Sequence, residues 1–199
     1  MNDKVNTIKN CFDMILQENK KESHLASRKV RKLLYSSSTG NREMYKEIAE
    51  IIEKAPINYV KIPENWRQEN FVMAISVIYF LHDKEDQPDF LFPWLFQLLQ
   101  HPNGYIRYSA VKMISHEIGP LTYHIRFPKE KSGLDRFSPK QADYILHSLF
   151  MNLNILANSI YESKYKKYKY IDSLPASPYK SVQMILADLE ESCCEQKYL

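Results

Sequence analysis

The sequence predicts an all-α fold: an irregular stack of antiparallel helix pairs, about eight helices in a single domain over residues 1–199. Three observations predict it. Apolar residues recur at three- and four-residue spacing along most of the 199 residues, the period of an amphipathic helix. No segment alternates cleanly between apolar and polar residues over the length of a strand. Only 4 glycines are present, too few for the tight turns of sandwiches and barrels or for Rossmann-type phosphate loops.

Each element follows from its pattern. Val5, Ile8, Phe12, Ile15 and Leu16 share one face of a first helix. A second runs from about Ser23 to Tyr35, with Ala26, Val30, Leu33 and Leu34 on one side and Arg28, Arg31 and Lys32 on the other. Ser36 to Gly40 breaks it. A third follows Asn41, a suitable N-cap, and carries the stripe Met44, Ile48, Ile51, Ile52. Pro56 and Pro63 bracket a connector, closing an N-terminal group over residues 1–62. Pro63 to Trp66 opens a helix that is apolar on nearly all sides from Phe71 to Leu81, the mark of a central, buried helix. Past the polar loop His82 to Gln87, a Phe- and Leu-rich helix spans Phe90 to Leu99, with Pro93 tolerated in its first turns. Another runs from Tyr105 to about Ile118, where Gly119-Pro120 predicts a stop. Residues 63–120 thus form a central group, and residues 121–137 read as a long connector. Ser138-Pro139 starts the longest helix, to about Ser163, its apolar set being Ala142, Ile145, Leu146, Leu149, Phe150, Leu153, Leu156, Ala157 and Ile160. A turn at Leu174 to Pro178 precedes the last helix, from about Tyr179 to Cys194, within a C-terminal group over residues 138–199.

Bulk properties narrow the class. Hydrophobic residues at 44% and charged residues at 26% are ordinary for a globular chain. The net charge of +3 does not by itself call for nucleic acid. Cys11, Cys193 and Cys194 form no CxxC pair, which excludes a zinc knuckle or thioredoxin-type motif and fits a reducing compartment. The N-terminus has no apolar h-region, so no signal peptide is expected. The longest apolar stretch, Phe71 to Leu81, is too short to span a bilayer. A cytoplasmic location without a membrane partner is expected.

Between Phe90 and Gly119, an apolar helix runs into His101-Pro102-Asn103-Gly104 and then Tyr105-Ile106-Arg107-Tyr108-Ser109-Ala110-Val111. This span resembles a HEAT repeat, whose pattern is a turn followed by apolar-Arg-x-x-Ala-apolar. The resemblance implies a right-handed α-α superhelix. It implies that Ala110 lets paired helices approach closely and that Arg107 ties neighbouring turns together. Asn103 stands where that family usually places the Asp that receives the arginine. Solenoids of this kind bind proteins or nucleic acids on extended surfaces.

Candidate chemistry is sparse. Lys164, Tyr165, Lys166, Lys167, Tyr168 and Lys169, followed by Tyr170, alternate cations that can neutralise phosphates with rings that can stack on bases. The bland reading is a solvated helix end. Arg28, Arg31 and Lys32, with Lys29, form a second basic cluster, ordinarily a solvated face. His82-Asp83 resembles the metal-binding pair of HD-type phosphohydrolases, with His24 and Asp143 available as further ligands. Trp66 and Trp94 sit beside apolar stripes and read as core. HExxH, GxSxG and GxxxxGK[ST] are absent. No catalytic residue, cofactor or resident metal is expected. The leading expectation is a non-enzymatic scaffold that binds a protein. The alternatives are a nucleic-acid-binding HEAT-like domain using the two basic clusters, and an HD-like metal-dependent phosphohydrolase.

Overall fold

The computed structural model describes residues 7–36, 42–128, 138–163 and 175–194. Among them every regular element is helical. The α-helices are α1 (Ile8–Ile15), α2 (Lys20–Ser36), α3 (Arg42–Glu53), α4 (Ala55–Val60), α5 (Asn65–Ile78), α6 (Phe92–Leu99), α7 (Gly104–Leu121), α8 (Tyr123–Arg126), α9 (Pro139–Ser159) and α10 (Pro178–Cys194). A 3-10 turn, Tyr79–Leu81, extends α5. The helices group into two compact units, residues 1–83 and 84–199.

In the first unit α5 packs against each of α1 to α4. Its apolar surface explains this: Phe71, Val72, Ala74, Ile75 and Ile78 are all buried. Met73 and Phe80 reach solvent, so the burial is wide but not complete. Phe71 meets Phe12 of α1 edge to face at 5.8 Å. Thr7 caps α1 by accepting from the Asn10 amide, and Glu47 of α3 accepts from the Lys9 amide at 2.7 Å. A side chain from another helix thus satisfies a free amide of the first turn. The connector expected between Pro56 and Pro63 contains α4. Pro56 lies in that helix's first turn, where its missing N–H costs nothing.

In the second unit α7 takes the central place, packing against α6, α8, α9 and α10. Its buried set includes Ile106, Ala110, Met113, Ile114 and Ile118. The stop expected at Gly119-Pro120 comes slightly later. The helix runs through Pro120 to Leu121, and α8 follows within the expected connector. Side chains explain the extension. Thr122 Oγ1 donates to the Ile118 carbonyl at 2.7 Å, and Arg126 Nη2 donates to the Gly119 carbonyl at 2.8 Å. These carbonyls near the helix end are thereby satisfied without a left-handed glycine. Ser138 caps α9 through the Gln141 amide, with Pro139 in the first turn, as the sequence predicts. Ala142, Ile145, Leu146, Leu149 and Leu153 are buried, but Phe150 is not. Among the described residues, no helix is long and apolar enough to cross a membrane.

Candidate interaction surfaces

The turn singled out by the repeat pattern is a structural joint. Arg107 is buried, with Nη1 donating to the His101 and Pro102 carbonyls, both at 2.7 Å. Its Nη2 donates to the Pro175 carbonyl at 2.6 Å, just ahead of α10. Ala110 is fully buried. Asn103, expected to receive the arginine, caps α7 by accepting from the Tyr105 amide at 2.8 Å. Main-chain carbonyls supply Arg107's acceptors instead. The joint also accounts for the end of α6, because Ser181 of α10 donates to the Leu99 carbonyl at 2.9 Å. His101 Nδ1 accepts from the Asn103 amide at 3.0 Å. Burial, and secondarily the Arg107 charge, hold the imidazole pKa below its usual value.

The residues of the metal reading are engaged separately. His82 is buried against the Tyr79 ring, with centroids 5.3 Å apart, while Asp83 is exposed. His24 Nδ1 lies 3.3 Å from Asn70 Oδ1, and Asp143 pairs with His124 at 2.9 Å. No group of three or more His, Cys, Asp or Glu able to hold a metal occurs among the described residues. Cys11 is buried, and burial pushes its thiol pKa up against an opposing pull from Lys29, which leaves it a poor nucleophile at neutral pH. Trp94 is core, whereas Trp66 is half-buried beneath the Arg67 guanidinium, 5.3 Å from the ring centre.

Two further surfaces stand out among the described residues. On α2, Arg28, Arg31, Lys32 and Tyr35 are exposed and line one shallow concavity of about 470 Å³. Their spacing of three, one and three residues puts them on one helical face. The second basic cluster, Lys164 to Lys169, lies outside the described residues.

The other surface went unnoticed in the sequence. The outer face of α9 exposes Tyr144 (74%), Ile155 (65%), Phe150 (50%) and Met151 (45%). No Asp, Glu, Lys or Arg occurs from Tyr144 through Tyr161. Its asparagines turn inward onto their own helix: Asn152 Nδ2 donates to the Ser148 carbonyl and Asn154 Nδ2 to the Phe150 carbonyl, both at 2.8 Å. Beside it, Leu146, Phe150, Leu186 and Leu189, with His147, Asn154, Cys193 and the charged Glu190, line a groove of about 600 Å³ between α9 and α10. The signal was available as an uncharged run, but the periodic apolar set of this helix takes in Phe150 alone of the four and leaves Tyr144, Met151 and Ile155 outside it. Known protein families, characterised proteins and solved structures give no match to this chain.

Proposed function

We propose that the chain is a non-enzymatic helical scaffold that binds a protein partner through the outer face of α9 and its groove with α10. The single observation that carries this reading is the exposure of Tyr144, Phe150, Met151 and Ile155 within a stretch that carries no Asp, Glu, Lys or Arg. Isolated exposed apolar residues are common, but a contiguous patch marks an interaction site. Depletion of charge with exposed Tyr, Phe and Met is the composition of an interface core. Asn152 and Asn154 each place a side-chain donor on a backbone carbonyl, which lowers the cost of drying this face. The HEAT-like reading belongs with the proposal. The close α6–α7 pairing over Ala110 and the Arg107 clamp support an irregular right-handed stack of antiparallel helix pairs. The test places a photo-crosslinking residue at position 155 and, as a control, at position 32, in cell extract. A discrete protein adduct from position 155 that disappears with Phe150→Asp supports the reading; absence of any adduct, both in extract and with the purified chain at high concentration, overturns it.

The α2 face favours a second reading, nucleic-acid binding through Arg28, Arg31 and Lys32, with Tyr35 stacking. Three phosphate contacts give a log–log salt slope of about −2.7. Anisotropy of a labelled duplex and of a labelled single strand, titrated at low salt, measures it. No binding by either eliminates this reading.

A further inference from the structure

Resting on the reading of α9 as a protein-docking face, we infer that its partner is a second copy of this chain, seated antiparallel along the same helix. Tyr144, Ser148, Met151 and Ile155 follow one another at spacings of four, three and four residues, the seam of a helix pair. This seam lies opposite the buried stripe of Ala142, Leu149 and Leu153. A two-fold axis midway between Ser148 and Met151 makes the pattern complementary to itself. Tyr144 then meets Ile155 of the other copy, and Ser148 meets Met151, each pairing a larger side chain with a smaller one. The flanking positions pair His147 with Asn152.

Charge selects this face for self-pairing. The α2 face would set Arg28, Arg31 and Lys32 against their own copies, which like-charge repulsion forbids. The α9 seam meets itself without such a cost, and its one cation, Lys140, stands a turn before Tyr144 at the solvated end. The contact is small. A helix of 21 residues offers roughly ten side chains, at most half of the 20–30 a side of a standard interface. The dimer is therefore reversible, with a dissociation constant on the order of 100 μM.

Sedimentation equilibrium of the purified chain from 10 to 500 μM tests the association. A monomer–dimer equilibrium is expected, and Ile155→Lys is expected to weaken it at least tenfold while far-UV circular dichroism stays unchanged. Register is tested in a Cys193→Ser, Cys194→Ser background. Mixing Ser148→Cys with Met151→Cys chains is expected to give faster disulfide formation than either variant alone. A chain that stays monomeric at 500 μM, or a dimer indifferent to Ile155→Lys, overturns the inference. If that monomer still gives a discrete adduct with a different protein from position 155 in extract, the docking face stands and only self-pairing falls. If neither dimer nor adduct forms, both fall.

Discussion

In the first unit three helices meet on a neutral relay. Asn70 of α5 donates to Ser23 Oγ at 3.0 Å, and Ser23 of α2 donates to the Ile15 carbonyl of α1 at 3.0 Å. In the second unit a cation does the corresponding work, with Arg107 gathering carbonyls from the α6–α7 turn and from the segment ahead of α10. Both joints are buried, and both replace water at helix ends and crossings with protein donors. They differ in what failure costs. A neutral relay loses ordinary hydrogen bonds, about 1 kcal/mol each, whereas hydrogen bonds from a charged donor are worth roughly 1.5–3 kcal/mol. The second unit therefore concentrates its stability in one residue, and the first spreads it over several.

The largest effect is expected from Arg107→Ala, about 4 kcal/mol, because one buried and two half-buried carbonyls lose a charged donor. Denaturant unfolding measures it. Arg107→Lys should recover less than half, since one compact ammonium cannot reproduce a planar fork serving both sides of the joint. Asn70→Ala should cost about 2 kcal/mol by the same measurement. If the Asn70 and Arg107 losses were equal, the distinction between spread and concentrated stability would fail.

A matched pair of serines sharpens the contrast. Ser23 both donates to Ile15 and accepts from Asn70, while the Ser181 hydroxyl donates to the Leu99 carbonyl and is shared with the Pro178 carbonyl at 2.6 Å. Ser23→Ala should cost about 2 kcal/mol and Ser181→Ala about 1 kcal/mol. Reversal of that order would show that Ser181, not Arg107, carries the second joint.

What the sequence makes legible follows period and local chemistry. Of the stripe Met44, Ile48, Ile51 and Ile52, Ile48 and Ile52 are fully buried, and they and the breadth of α5 are read from spacing alone, because burial demands that spacing. Ser138-Pro139 is read from capping, which acts over a single turn. Gly119-Pro120 misleads because the carbonyls it leaves are satisfied by Thr122 and Arg126, a tertiary compensation with no local signature. Arg107 is identified as a tie from its motif, but its third acceptor, Pro175, lies 68 residues away and no spacing predicts it. The α9 surface is missed for a different reason. Phe150 carries the same apolar signal as Leu149, yet one faces solvent and the other the core. Hydrophobicity states that a residue prefers burial, not whether its own fold or a partner supplies it.

The smallest effect separates the joints by pH. His101 Nδ1 accepts the Asn103 amide, so the ring must be unprotonated at that atom, with the Nε2 tautomer implied. Its folded pKa is lowered, by burial first and by Arg107 second. As pH falls through the unfolded value of about 6.5, the unfolded chain takes up the proton before the folded one does. Stability from this group is full above that pH and declines below it until the folded imidazole also protonates. Losing one hydrogen bond of about 1 kcal/mol corresponds to a fall of roughly 2–4 °C in Tm between pH 7.5 and pH 5. His101→Asn supplies a carbonyl oxygen that can accept the same amide without titrating, and its Tm should depend less on pH. Acid therefore loosens the joint built on a cation. An unaltered pH slope in His101→Asn would remove His101 as its cause.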